Sequence, residues 1–186
     1  ALLAAGRAFD VCLLHGRLIQ AQHIAAVALK LARQLITSAK DLPQALRDLS
    51  VSLDNMGDVA RELGQLEDAQ GYYGESLTIA RQLLQQLGET PQALRDVSVS
   101  LNKMGKVAQE LGQLEAAQGH FGESLTIARQ LLQQLGETPQ VLRDISVSLN
   151  KMGDVAREDR KCVEKGGSLD VGVGRRSKIL QQLGET

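Results

Sequence analysis

Residues 43–90 read PQALRDLSVSLDNMGDVARELGQLEDAQGYYGESLTIARQLLQQLGET, and almost the same string returns at residues 91–138. The two copies differ at only eight positions of the first: 49, 54, 55, 58, 61, 68, 72 and 73. The first half returns once more from Pro139, so the prolines at 43, 91 and 139 stand 48 residues apart. Self-similarity at a fixed period of roughly 20–50 residues marks a repeat architecture, in which each unit buries its apolar face against its neighbours.

Each copy spells two helices. Pro43 and Pro91 open the first, where a missing N–H costs nothing because that donor has no intrahelical acceptor. Thr90 is a good N-cap for the second copy. Apolar residues then fall at Leu46, Leu49, Leu53, Met56, Ala60 and Leu63, in steps of three and four that trace one helical face. Gly64 ends the run. Leu66, Ala69, Tyr73, Ser76, Ala80, Leu83 and Leu87 keep the same rhythm to Gly88, and their small members permit close approach. The unit is an antiparallel helical hairpin. The spacing predicts helices near 1–15, 18–38, 43–63, 66–87, 91–111, 114–135 and 139–158. The fold class expected is all-α, an α-solenoid of hairpins in four units, 1–42, 43–90, 91–138 and 139–186.

Within the unit stand Leu53-x2-Met56-Gly57-x2-Ala60 and Ala69-x3-Tyr73, then Leu101-x2-Met104-Gly105-x2-Ala108 and Ala117-x3-Phe121. This resembles the tetratricopeptide repeat, whose signature is Trp-x2-Leu-Gly-x2-Tyr followed by Ala-x3-Phe. Leucine replaces the tryptophan, alanine replaces the tyrosine, and Gln82 stands where a closing proline is frequent. The unit is also about fourteen residues longer than the 34-residue standard. In that it is similar to the long repeats of kinesin light chains, whose Leu-Asn-Asn-Leu-Ala run resembles Leu53-Asp54-Asn55-Met56-Gly57. The resemblance implies a TPR-like superhelix that binds a peptide or protein segment in its concave groove.

Composition removes several other functions. Aromatic residues are 2% of the 186, too few for base-stacking platforms. A net charge of −1 argues against a nucleic-acid partner. No apolar run approaches the roughly 18 residues of a membrane span, and no signal-peptide pattern is present. Cys12 and Cys162 lie far apart, which points to a reducing, cytoplasmic setting. No catalytic constellation emerges and no cofactor is expected, so a binding module is favoured over an enzyme. A structural spacer or oligomerisation segment of a larger signalling or regulatory protein is the alternative.

Residues 1–42 are a diverged unit. Shifted by 48, Gly16, Leu18, Ala21, Ala28, Leu29 and Ala32 fall on Gly64, Leu66, Ala69, Ser76, Leu77 and Ala80. The chain starts without methionine and inside a unit, as expected of a fragment or a processed product. Its exposed ends, with Leu2, Leu3, Leu13 and Leu14, form an expected self-association patch. Cys12, His15 and His23 show no fourth ligand for zinc and read as a buried thiol beside surface histidines. His120 reads as a surface substitution. Gly71, Gly74, Gly119 and Gly122 interrupt the second helices, at up to about 1 kcal/mol each. They reflect either tolerated weakening or close approach of a neighbour.

From Asp159 to Lys178 the repeat fails, yet residues 179–186 return in register. A diverged cap and a pair of compensating frameshifts both fit. This tail is expected to be the least stable region. Gly172 and Gly174 form no nucleotide-binding loop.

The copies themselves suggest a ligand surface. Positions 54, 58 and 61 lie on one helical face and read Asp54, Asp58, Arg61, then Asn102, Lys106, Gln109, then Asn150, Asp154, Arg157. Asn55, Lys103 and Lys151 share a further variable position. By the resemblance these residues line the groove, and asparagines such as Asn55, Asn102 and Asn150 hold an extended peptide. Neutral drift is the alternative, but Gln44, Arg47, Glu62, Gln65 and Glu67 repeat unchanged at 92, 95, 110, 113 and 115. Mixed signs along the face suit a ligand with both acidic and basic side chains.

Overall fold

The computed structural model describes residues 2–37, 39 and 41–166. Seven helices follow one another: α1 (Leu2–Leu14), α2 (Leu18–Ile36), α3 (Leu42–Glu62), α4 (Leu66–Leu87), α5 (Pro91–Glu110), α6 (Leu114–Leu135) and α7 (Pro139–Gly166). No strand occurs among the described residues. The chain is an all-α solenoid in which each helix packs on the next.

Local chemistry sets the boundaries. The Thr90 side chain accepts a hydrogen bond from the backbone N–H of Ala93 at 3.2 Å, and Thr138 does the same for Val141. Asp41 caps α3 through the Gln44 N–H at 3.1 Å, which places Pro43 in the first turn rather than at the first residue. Such caps satisfy donors that a helix start leaves unpaired. Gly64 and Gly112 take positive φ of 74° and 73°. The chain then turns so that Gln65 N–H reaches Ala60 O and Gln113 N–H reaches Ala108 O, both at 2.8 Å. Gly16 and Arg17 build the same turn after α1.

α7 departs from expectation. It runs to Gly166 instead of stopping near residue 158, because the place of Gly64 and Gly112 is taken by Arg160. An arginine does not readily adopt the left-handed conformation that ended the earlier helices. The expected weakness of the tail therefore falls partly on a helix, and residues 167–178 lie outside the described residues.

Apolar seams run between units. Leu77 and Ala80 of α4 meet Leu94, Val97 and Leu101 of α5, with Ile127 and Leu131 of α6. One unit earlier Leu29 and Ala32 meet Leu46, Leu49 and Leu53, with Ile79 and Leu83. At the start of the chain Leu13 is half-buried rather than exposed, because it packs against Phe9, Ala21, Ala25 and Val59. Val11, Leu14 and Ile19 are large apolar residues that face solvent there. The side chains of Leu2 and Leu3 lie outside the described residues.

Close approach occurs at other glycines than those singled out in the sequence. A Cβ at Gly57 would overlap the Tyr73 ring, and one at Gly105 would lie 2.6 Å from the ring of Phe121. Gly71, Gly74 and Gly119 face open space. Gly71, Gly74 and Gly119 therefore meet no neighbouring unit, and the signature glycine of the first helix makes the contact.

Candidate functional site

The face chosen from the copies is largely an inter-unit tie. Lys103 of α5 reaches across to α3, where its ammonium donates to Asp58 Oδ2 at 2.7 Å and lies 3.9 Å from Asp54. The Tyr73 hydroxyl donates to the other Asp58 oxygen at 2.7 Å, and Lys103 Nζ sits 5.4 Å from the Tyr73 ring centroid. Burial, reinforced by the Asp58 charge, pushes the Tyr73 phenol far above its ordinary range. Asp54 is buried deeper than Asp58. Burial raises its carboxyl above the ordinary value near 3.8, and Lys103 pulls the other way without cancelling it.

Position 54 turns inward because a serine ladder lies beneath it. Ser76 of α4 shares hydrogen bonds with Ser50 of α3 at 2.8 Å and with Ser100 of α5 at 3.3 Å. Ser124 repeats this with Ser98 at 2.9 Å and Ser148 at 3.2 Å. Asn102, the counterpart of Asp54, donates to Ser124 at 2.8 Å and to the Ser98 carbonyl at 3.0 Å. Burial opposes the charge of Arg61, and Glu110 and Glu62 more than offset it, holding the guanidinium above its ordinary range. Arg157 pairs with Asp154 on its own helix.

The remaining residues are more open. Asn55, Lys106, Gln109 and Lys151 are half-buried and Asn150 is exposed. No carboxylate stands within ion-pairing reach of Lys106 or Lys151 among the described residues. Lys151 occupies the position of Lys103, but the acid that meets Lys103 has become Lys106. The α3–α5 step thus neutralises its lysine and the α5–α7 step does not.

The structure also explains why some surface residues never change. Gln44, Gln92 and Gln140 each donate to an aspartate four residues on, Asp48, Asp96 and Asp144, at 2.8–2.9 Å. Arg47 pairs with Asp96 of the next unit at 3.2 Å. The glutamine contact repeats in all three units, whereas Arg95, the counterpart of Arg47, leaves its Nε buried without a hydrogen-bond partner among the described residues.

Sequence reasoning missed one row. Val51, Val99 and Val147 are 58%, 51% and 41% exposed, one in each of α3, α5 and α7. They lie four residues before Asn55, Lys103 and Lys151 and seven before Asp58, Lys106 and Asp154, on one face. Between α3 and α5 that face forms a groove of about 260 Å³ lined by Val51, Asp54, Val99 and Ser100. The valine recurs at 51, 99 and 147 in the sequence, off the apolar stripe that runs through Leu46, Leu49 and Leu53.

His120, read as a surface residue, is half-buried, and burial lowers its pKa. Cys12 is half-buried and His15 and His23 are exposed. No group of three or more His, Cys, Asp or Glu side chains among the described residues could hold a metal ion. No helix among them is long and apolar enough to cross a membrane.

A family model described as "Tetratricopeptide repeat" matches residues 49–96 and 97–134. The chain carries tetratricopeptide repeats. BtubC (BKLC) from P. vanneervenii is similar in fold, with a TM-score of 0.55 and 21% identity over 96% of this chain. The match spans 62% of that protein's own length. No curated protein matches the chain. Tetratricopeptide repeats are non-catalytic modules that generally mediate protein–protein interaction.

Proposed function

We propose that the chain binds an extended segment of a partner protein along the face that α3, α5 and α7 share. The observation that carries this reading is the row Val51, Val99 and Val147, exposed at the same position of three successive helices. Packing between units does not use these side chains, yet every copy keeps them. An extended chain laid across the helices meets one valine and one polar or charged neighbour at each step. Asn55 offers an amide, Lys103 is already held by Asp54 and Asp58, and Lys106 with Lys151 offers uncompensated positive charge. The segment therefore presents apolar side chains toward the valines and an acidic one toward the α5–α7 step. Charge there governs specificity and association rate more than affinity.

The test is selection of binding peptides from a random displayed library against the 186-residue chain. Selected peptides should combine apolar residues with at least one Asp or Glu, and should lose binding to the Lys106→Glu, Lys151→Glu protein. Asn102→Ala is unsuitable as a probe, because it would remove two hydrogen bonds that join α5 to α6 and to its own preceding turn. Peptides that bind the charge-reversed protein equally well would refute the assignment.

A further inference from the structure

The first unit departs from its successors at a cluster of positions beside the valine row. Ala5 stands where α3 and α5 carry the fully buried Leu53 and Leu101. Gly6 takes the place of Asp54 and Asn102, and Ala28 that of Ser76 and Ser124. The aromatic ring has also changed helix. Phe9 occupies the position of Gly57 and Gly105, while Ala25 occupies that of Tyr73 and Phe121. This exchange keeps the inter-unit seam, since Phe9 packs on Val59 as Tyr73 packs on Val107. The smaller residues at 5, 6 and 28 leave space.

A cavity of about 550 Å³ lies there, lined by Ala5, Gly6, Phe9, Ala25 and Ala28, with Val51 of α3 at its edge. The groove of the α3–α5 step, where Leu53, Asp54 and Ser76 are present, measures about 260 Å³. Phe9, Ala25 and Ala28 are at most 5% exposed, and a Cβ on Gly6 would meet nothing within 4 Å. Close-packed proteins leave few such spaces, because wall atoms without neighbours forfeit dispersion contacts. Gln44, Asp48 and Val51 line both the cavity and the α3–α5 groove, so the two are continuous.

We propose that this cavity anchors one large apolar side chain, leucine-sized or aromatic, of the partner segment that runs along the valine row. The walls set the occupant: hydrocarbon from Ala5, Phe9, Ala25 and Ala28 surrounds the space, and the side chain that the other units place there is a leucine. Arg7, Asp10 and Asn55 also line the cavity and are open to water, which suits the polar backbone of the segment. The inference rests on the valine-face reading and adds a direction to it. The apolar anchor lies at the α1 end and the acidic residue at the α5–α7 end.

The test uses the peptides selected on the 186-residue chain. They should share one Leu, Met or aromatic residue toward the end opposite their acidic residue. Alanine in its place should weaken binding at least tenfold in fluorescence anisotropy. Ala5→Leu restores the side chain that α3 and α5 carry, and Gly6→Leu enters open space. Both variants should keep the parent circular dichroism and weaken binding by a similar factor. Against the alanine-substituted peptide they should cause no further loss, because cavity and side chain act as one pair. Equal binding of the selected peptides to the parent and to both variants overturns the anchor site. If those peptides still fail on the Lys106→Glu, Lys151→Glu protein, the valine face stands without it. Loss on both cavity variants with none on the charge-reversed protein upholds the anchor and removes the acidic contact instead. A selection that yields no binding peptide overturns both.

Discussion

Replacing Gly105 and Gly119 by alanine, one at a time, should move stability in opposite directions. Both lie inside helices, where alanine gains up to about 1 kcal/mol over glycine from propensity alone. At Gly119 nothing stands within 4 Å of the new methyl, so that gain is realised. At Gly105 the methyl would lie 2.6–2.8 Å from three ring atoms of Phe121. The ring cannot retreat freely, because it is fully buried against Ala108, Ala117, Leu125, Met152 and Val155. Overpacking of that kind costs about 1–3 kcal/mol, which leaves a net loss of about 0–2 kcal/mol after the propensity gain. Urea unfolding of the 186-residue chain, compared by midpoint at equal slope, measures both. Phe121→Leu should cost less in the Gly105→Ala background than alone, since the smaller side chain relieves the clash. If Gly105→Ala proves as stable as Gly119→Ala, the close approach of the two helices is not as described.

Asp54→Asn should stabilise the chain at neutral pH. Because the folded carboxyl titrates above its unfolded value near 3.8, the unfolded chain gives up its proton first, and stability falls as pH rises through that window. The gap between variant and parent in thermal unfolding should open from about pH 3.5 upward and persist at pH 7, whereas a gap that closes with rising pH would reverse the sign. Asn102 and Asn150 already occupy this position in the later copies. Ser76→Ala, which leaves the buried Ser100 hydroxyl and Ser50 without their shared partner, should cost about 1–3 kcal/mol in denaturant unfolding. An unchanged midpoint would show that the serine ladder carries no stability.

Much of this fold was legible because a 48-residue repeat prints its own boundaries. Proline, a capping threonine and a left-handed glycine recur around identical apolar stripes, and each behaves locally. The extension of α7 was legible in principle too, since Arg160 stands where Gly112 ended the preceding first helix. What periodicity cannot give is which helix a given face meets. Positions 54 and 61 look like surface on a helical projection, yet Asp54 lies against the serine ladder and Arg61 is tied to Glu110 of the next unit. Val51 is apolar but lies off the stripe through Leu46, Leu49 and Leu53, and it is open to solvent. Gly57 and Gly71 are equally conspicuous as letters, and only the position of the Tyr73 ring distinguishes them. Neighbour identity is a tertiary fact, and differences between copies report it only indirectly.

The claim that the valine row is the interaction surface is tested most directly by methyl NMR of the 186-residue chain with labelled valines. A peptide from the library selection is titrated while the resonances are followed. Val51, Val99 and Val147 should shift together and saturate at one peptide concentration, while the buried Val107 and Val155 stay in place. Saturable binding that leaves those three methyls unmoved would contradict the account.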